Sequence, residues 1–235
     1  MYTFQYDSKI LSTFPNIQAG VLLARNCANR PTPQGLMERF FTEQQEVLTQ
    51  IGDTPLSEIE SLAAWRSAFR QFGVNPTKYR SAIEALLRRL TKKGDIPSIN
   101  TLVDLGNLIS IRYRIPVAVF DADRTGGTIS VQFASGDERF TPLFEKNFEH
   151  PDPGEVIFID GNDLVAARRW CWRQSDQSAS RPDTQSVIIV TEAHHPTANQ
   201  DVRQAVTDLE KLVREYLGGE LISGVANAEN PSFSG

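Results

Sequence analysis

The sequence has few cysteines, no long apolar run and no excess of positive charge. Its two cysteines, Cys27 and Cys171, form no C-x-x-C pair, and no run of histidines completes a zinc set. We therefore expect no metal and no cofactor, and two reduced thiols. No apolar run approaches the roughly 18 residues that a membrane span needs, and Met1 is followed by Tyr2-Thr3-Phe4 rather than by a basic-then-apolar leader. These absences predict a cytoplasmic protein with no membrane partner.

Four common catalytic fingerprints are missing as well. The sequence contains no G-x-x-x-x-G-K-[ST], no G-x-G-x-x-G, no H-E-x-x-H and no G-x-S-x-G. ATP-driven and zinc-driven chemistry are therefore unsupported. The formal net charge of −5 argues against a uniformly basic surface, so a polyanionic partner would have to bind a local patch.

Such a patch lies between residues 66 and 93, where Lys and Arg are opposed only by Glu84. Two cations and an aromatic ring just before a helix N-terminus can hold a phosphate and stack a base. The alternative is a helix start with solvated charges, and cations near a helix C-terminus are also favoured by the helix dipole. The candidate nucleic-acid-binding residues are Lys78, Tyr79, Arg80, Arg88 and Arg89.

Helical spacing dominates the first half of the sequence, and strand-like segments dominate the second half. Helices are predicted over residues 36–51, 57–72, 81–93, 100–112 and 202–216. Strands are predicted over residues 9–11, 21–24, 117–120, 128–133, 156–159, 164–172 and 186–190. The expected fold class is α+β, with helices of the N-terminal half packed on a mixed, largely antiparallel sheet from the C-terminal half. We expect one domain over residues 1–226 and a frayed tail over residues 227–235.

Several polar residues are spaced so that they could line a site. Asn100, Asp104 and Asn107 project from one side of the fourth predicted helix, either into solvent or into a cleft that holds a substrate amine or a ribose hydroxyl. Asp121 follows a strand and precedes glycines, which fits an acid/base site or ordinary turn chemistry. The adjacent pair His194-His195 is expected in a turn or on the surface.

The segment from Arg168 to Gln174 combines arginines with tryptophans. Strand alternation predicts Trp170 and Trp172 on one face, as core residues or as an aromatic wall. Arg173 and Gln174 come at the predicted strand end, where the rim of a pocket would collect polar groups.

Several blocks of residues occur in a fixed order along the chain, namely Trp65-Arg66-Ser67-Ala68-Phe69-Arg70, Pro76-Thr77-Lys78-Tyr79-Arg80-Ser81, Glu84-Ala85-Leu86-Leu87-Arg88-Arg89, Pro97-Ser98-Ile99-Asn100, Asp104, Asn107, Pro116, Asp121 and Arg168-Arg169-Trp170-Cys171-Trp172-Arg173. These blocks resemble the standalone B3/B4 proteins, which are related to the B3/B4 editing domain of the phenylalanyl-tRNA synthetase beta subunit. In the synthetase, the related domain hydrolyses tyrosine wrongly attached to the phenylalanine tRNA.

The resemblance implies a function on tRNA, with editing in trans as the leading hypothesis, and no ligase activity. It implies Asp104, Asn107 and Asp121 as catalytic residues and the acceptor end of an aminoacylated tRNA as the partner. The implied substrate-binding residues are Asn100, Trp170, Trp172, Arg173 and Gln174. A noncatalytic RNA-binding module and a binding protein for an amino-acid-like small molecule stay open as alternatives.

Two positions depart from the synthetase pattern. The pattern V-D-V-T-N falls on residues 103–107, where Gly106 replaces the threonine, and Q-P-M-H-A-F-D falls on residues 115–121, where Ala118 replaces the histidine. An aminoacyl ester is reactive enough to be hydrolysed by a pocket that only positions a water and the ribose hydroxyl. The resemblance therefore implies an editing pocket with altered chemistry, and it does not imply tyrosine as the substrate.

Overall fold

A four-stranded antiparallel sheet forms the middle layer of the protein in the computed structural model, which describes residues 1–235. Its strands are β2 (Gln18–Arg25), β3 (Val117–Asp121), β8 (Val187–Ala193) and β9 (Glu220–Asn227), in the order β3-β8-β2-β9. Successive side chains of β8 enter two different cores on the two sides of the sheet. Burial on both faces explains why β8 is almost continuously apolar.

Four helices cover one face of this sheet. They are α2 (Gln34–Ile51), α4 (Ala82–Lys93), α5 (Thr101–Tyr113) and α6 (Ala198–Tyr216). The predicted caps of two of them are confirmed, because Ser81 accepts from the backbone N–H of Glu84 and Asn100 accepts from that of Val103. None of the helices combines the length and the apolar character that crossing a membrane requires.

A six-stranded sheet covers the other face. Its strands are β1 (Thr3–Tyr6), β4 (Thr128–Phe133), β5 (Val156–Asp160), β6 (Val165–Arg168), β7 (Arg173–Gln174) and β10 (Ser232–Ser234). They lie in the order β10-β1-β4-β5-β6-β7, and only the pair β1–β4 is parallel. Helices α1 (Ser8–Thr13) and α3 (Glu60–Gln71) lie beside the core between the two sheets.

The α+β class with mixed, largely antiparallel pairing is confirmed, and the structure adds that the strands divide into two sheets. The N-terminal half contributes one strand to each sheet, β1 to the six-stranded sheet and β2 to the four-stranded sheet. The predicted strand at residues 9–11 is wrong, because this segment lies in α1 and the Asp7 side chain accepts from the N–H of Lys9 as its N-cap. The helix cap at Asp7 therefore favours a helix more strongly than the short apolar run favours a strand.

The expectation of a frayed C-terminal tail is also wrong. Strand β10 pairs antiparallel with β1, and the ring of Phe233 packs on Gly224, where an added Cβ would meet it at 2.2 Å. The guanidinium of Arg25 donates to the carbonyl of Gly235 at 2.9 Å. A single aromatic residue and a free sheet edge therefore order the last residues.

Candidate functional site

The largest cleft opens between α5, β3 and the segments around residues 143–144 and 174–182. It has a volume of about 580 Å³ and is lined by Asn100 and Asn107 from α5 and by Gln174 at the end of β7. Val117 and Gln174 also line a smaller pocket of about 70 Å³. The two spaces are therefore neighbours that share a wall, and we call them the cleft and the inner pocket.

The polar groups of the cleft differ in how firmly they are held. The Nε2 of Gln174 donates to the carbonyls of Val119 at 2.8 Å and Ser178 at 3.0 Å, which fixes the amide and leaves its Oε1 free. Asn107 is half-buried, and its side chain makes no hydrogen bond within the protein. Asn100 reaches the wall of the cleft while its side-chain oxygen caps α5. The cleft thus offers a free amide and an oriented acceptor, as expected of a site that orients a polar ligand.

Asp104 lies outside the cleft, although it shares a helix with Asn100 and Asn107. It is 0% exposed, and its Oδ2 accepts from the hydroxyls of Thr32, at 2.5 Å, and Ser98. Its Oδ1 accepts from the backbone N–H of Ile99 at 2.9 Å. These bonds occupy both oxygens, so the structure places Asp104 as a support for the loop before α5 rather than beside a substrate.

Asp121 is likewise buried away from the cleft. The Thr184 hydroxyl donates to its Oδ2 at 2.6 Å, and the N–H of Arg124 donates to its Oδ1 at 3.1 Å. This is the turn chemistry that the following glycines already suggested. Of the three residues predicted to be catalytic, the structure brings only Asn107 to the cleft.

The inner pocket is mostly apolar, with Glu192 as its one acidic residue and Arg173 and Gln174 as its other polar side chains. Its walls include Ala118, Phe158, Ala167 and Trp170, and the buried carboxyl of Glu192 lines it as well. Ala118 lies on β3 and pairs with Val190 of β8, so the position where the synthetase pattern has a histidine faces this pocket.

Glu192 is a functional candidate that the sequence analysis missed. The Tyr6 hydroxyl donates to its Oε1 at 2.6 Å, and the indole N–H of Trp170 lies 3.1 Å from both of its oxygens. Burial raises the pKa of this carboxyl to about 7, with the bonds from Tyr6 and Trp170 opposing the shift. The available signal was a single acidic residue near the end of the apolar run Val187–Ala193.

The alternation predicted for Trp170 and Trp172 is wrong. Arg169 has φ of 45° and Trp170 has φ of 58°, so a left-handed turn interrupts the strand between β6 and β7. Trp170 points into the core and is 0% exposed, whereas Trp172 is half-buried and lines the mouth of the inner pocket. Both tryptophans line the inner pocket, Trp170 from the core and Trp172 from a half-buried position.

Cations and aromatic rings alternate beside this mouth. The Arg169 guanidinium lies 3.8 Å from the Tyr79 ring centroid and 4.7 Å from that of Trp172. Lys78 lies 5.0 Å from the Tyr79 ring, and Arg173 lies 4.7 Å from the Trp172 ring. We call Lys78, Tyr79, Arg169, Trp172 and Arg173 the cation–aromatic stack. It joins two segments that the sequence analysis had treated separately.

The buried ion pair between Glu155 and Arg168 supports the backbone of the cation–aromatic stack. The Glu155 carboxylate accepts from the Arg168 guanidinium through two bonds of 2.9 Å and from the backbone N–H of Arg169 at 3.0 Å. The Arg169 guanidinium bonds Asp152 at 3.2 Å. Glu155 therefore fixes the backbone of the left-handed turn as well as the Arg168 side chain.

The other three residues predicted to bind nucleic acid, Arg80, Arg88 and Arg89, do not line the inner pocket. The Nε of Arg80 lies 3.7 Å from Glu84, and Arg89 pairs with Asp95. Arg88 and Arg89 come six and seven residues after Ala82, the residue of α4 that lines the inner pocket, which is about 10 Å along a helix. The amides of Ala82 and Glu84 already bond Cys171 and Ser81, so the start of α4 offers few free donors to a phosphate.

Gly106 permits α5 to approach β3 closely, and its replacement by threonine is expected to destabilise the protein. A Cβ at this position would lie 3.0 Å from a methyl group of Val119 and 3.5 Å from one of Val117. Overpacking of this kind costs about 1–3 kcal/mol in the free energy of unfolding. Gly35 of α2 is the matched control, because a Cβ there meets nothing within 4 Å. Equal unfolding midpoints for Gly106→Thr and Gly35→Thr would contradict this explanation.

His194 and His195 lie in the turn segment between β8 and α6, as one of the two expectations had it, but not on the surface. His194 lies among aromatic rings, 4.6 Å from that of Trp65, and burial lowers its pKa to about 4. His195 is also buried, and its Nε2 is 2.7 Å from Asp201. Neither ring lines the cleft or the inner pocket.

Comparison with known proteins places this site in a family context. The chain is 28% identical over 163 residues to the phenylalanine–tRNA ligase beta subunit of Geobacter metallireducens, covering 59% of this chain and 20% of that protein. It is 32% identical over 71 residues to the same subunit of Mycoplasma genitalium, covering 30% of this chain and 9% of that protein. The chain thus spans a fifth or less of the length of these relatives.

An N-terminal fragment of the phenylalanyl-tRNA synthetase beta subunit from Pyrococcus horikoshii aligns with 94% of this chain and 53% of its own, at 12% identity and a TM-score of 0.48. The family model for the B3/4 domain matches residues 64–216, which is more than half of the chain. This range contains α5, β3, β7, β8 and the cation–aromatic stack. The chain therefore belongs to the B3/4 domain family.

Proposed function

We propose that this protein binds the acceptor end of an aminoacylated tRNA and hydrolyses a wrongly attached amino acid in trans. The observation that carries the proposal is the position of Trp172 and Arg173. Both residues line the inner pocket and both belong to the cation–aromatic stack. A surface suited to a single-stranded nucleic acid therefore ends at the mouth of the inner pocket, with the cleft beside it.

The stack supplies what the unpaired end of a tRNA requires. Aromatic rings such as those of Tyr79 and Trp172, which are half-buried, can stack bases of any sequence, and cations beside them contact the phosphates. Lys78 and Arg173 are exposed and form no ion pair with an acidic side chain, so their charge is available despite the net negative charge of the chain. The shared domain with the beta subunits of phenylalanine–tRNA ligases supports tRNA as the nucleic acid.

The reaction needs only positioning groups. With the amino-acid side chain in the inner pocket, the free Oε1 of Gln174 accepts a hydrogen bond from the α-ammonium group. The Asn107 amide donates to the ester carbonyl oxygen, on which negative charge develops as water attacks the carbonyl carbon. The bond to the ribose oxygen then breaks, and this oxygen leaves with a proton from the attacking water. No protein nucleophile takes part.

Binding of tRNA is expected to depend on the exposed end of the stack. Arg173→Ala should weaken the affinity for tRNA and reduce the slope of log K against log salt by about 1, because one phosphate contact is lost. Titration of labelled tRNA at several salt concentrations measures both quantities. Arg203→Ala on α6 is the matched control, since it removes the same charge away from the cleft. Equal losses in the two variants would contradict the assigned surface.

The reaction itself is tested with tRNAs that each carry a different amino acid. We expect the protein to release at least one amino acid faster than a blank and to leave the others attached. Salt-sensitive binding with no release across the whole panel would overturn the hydrolytic proposal and favour a noncatalytic RNA-binding module. If the protein neither bound tRNA nor released an amino acid, the proposals of tRNA binding and of hydrolysis would both be overturned, and a small-molecule binding protein would be favoured.

A further inference from the structure

We infer that the inner pocket selects a small side chain that carries a hydroxyl group and excludes aromatic side chains. The inference rests on the proposed function and concerns its substrate class. Three properties of the pocket carry it, namely its volume, the rigidity of its walls and the single carboxyl group in its lining.

The volume of the inner pocket is too small for an aromatic ring. It measures about 70 Å³. An engineered apolar cavity of about 150 Å³ binds benzene, a ring of six non-hydrogen atoms. The pocket therefore has room for a group of two or three non-hydrogen atoms, which matches the side chains of serine and threonine.

The walls cannot easily move apart to admit a larger group. Trp170 is 0% exposed, and its ring lies 4.9 Å from that of Phe14 and 5.1 Å from that of Trp65. Phe158 is 1% exposed and lies 5.3 Å from Phe120. Rings that are packed on both sides have no free space to rotate into, because protein interiors are packed as densely as organic crystals.

The carboxyl group of Glu192 is the reason that we infer a hydroxyl group on the substrate side chain. Its Oε1 is occupied by the Tyr6 hydroxyl, whereas Oε2 receives only the bond that Trp170 shares between both oxygens. Oε2 therefore has capacity for one more donor. A ligand without a polar side chain would cover this oxygen and leave it unpaired, and sites built around a hydrogen bond discriminate strongly against such ligands.

The test uses one tRNA charged with serine, threonine, alanine, phenylalanine or tyrosine. We expect the seryl and threonyl esters to be hydrolysed at least about 100-fold faster than the tyrosyl and phenylalanyl esters, and about 10-fold faster than the alanyl ester. Hydrolysis of the tyrosyl or phenylalanyl ester at an equal or higher rate would overturn the inference and leave the proposed function standing.

If no ester is hydrolysed, binding of stable analogues tests the preference of the inner pocket independently of the hydrolytic function. Adenosine carrying the amino acid through a 3′-amide bond cannot be cleaved under these conditions. Tighter binding of the seryl than of the tyrosyl analogue would support the pocket assignment although the hydrolytic function fails. Equal or weaker binding of the seryl analogue would overturn the assignment.

Two variants of the pocket complete the test. Ala118→Leu fills the inner pocket, so binding of the seryl analogue should fall at least about 10-fold, whereas Ala63→Leu on the exposed face of α3 should have no effect. Glu192→Gln keeps the shape, so the rate ratio of seryl to alanyl ester should shrink toward one. An unchanged ratio in a folded Glu192→Gln protein would overturn the role given to the carboxyl group.

Discussion

Replacing Glu155 by alanine is expected to lower the free energy of unfolding by about 3–5 kcal/mol, because the buried guanidinium of Arg168 would keep only the exposed carboxylates of Glu149 and Asp152. The Glu155 side chain is 2% exposed, and that of Arg168 is 5% exposed. The loss should extend to function, since Glu155 also fixes the backbone N–H of Arg169, the central cation of the stack. Denaturant unfolding and tRNA titration measure the two effects.

Asp152→Ala is the control for this prediction. Asp152 contacts the same two arginines, but its side chain is 78% exposed. Exposed ion pairs contribute only about 0–1 kcal/mol, so this variant should unfold close to the wild-type midpoint. If Glu155→Ala were no less stable than Asp152→Ala, the buried ion pair would not be what holds the turn.

The second large effect concerns the pH dependence of stability, in which two buried groups oppose each other. Burial raises the pKa of Glu192 from 4.5 to about 7. Its contribution to the free energy of unfolding is therefore complete below pH 4.5 and is lost as the pH rises through about 7. Burial lowers the pKa of His194 from 6.5 to about 4, so its contribution is complete above pH 6.5 and is lost as the pH falls through about 4. Each shift corresponds to about 3 kcal/mol.

The two contributions nearly cancel between pH 4.5 and 6.5, and single substitutions should separate them. Glu192→Gln, which never ionises, should gain about 3 kcal/mol relative to the wild type as the pH rises from 4.5 to 7. His194→Phe should gain a similar amount relative to the wild type as the pH falls from 6.5 to 4. The measurement is the unfolding free energy of the three proteins across this range. Parallel curves would show that neither group is buried as described.

Local signals in the sequence predicted much of the fold. Ser81 and Asn100 cap their helices as predicted, since a cap depends on residues three apart. The tail after residue 227 was predicted to be frayed because it has few apolar residues, whereas the packing of Phe233 on Gly224 and the pairing of β10 with β1 order it. Contacts between the two ends of a chain leave no local signal.

The site was only partly predictable for the same reason. Asn100, Asn107 and Gln174 line the cleft, as their spacing and position allowed. Asp104 is held by the nearby residues Ser98 and Ile99 and by Thr32, and only the contact with Thr32 is distant in sequence. Glu192 and its partner Tyr6 are 186 positions apart, so no spacing rule connects them.

The central claim is that the cleft promotes hydrolysis of an aminoacyl-tRNA ester, and Asn107→Leu tests it most directly. The Asn107 side chain makes no hydrogen bond within the protein, so the substitution should leave the unfolding temperature unchanged. The measurement is the first-order rate at which amino acid is released from the tRNA that the wild-type protein deacylates. We expect the variant to be about 100-fold slower, because a donor to the developing oxyanion is lost. An equal rate for the variant, or a wild-type rate no faster than the blank, would contradict the account.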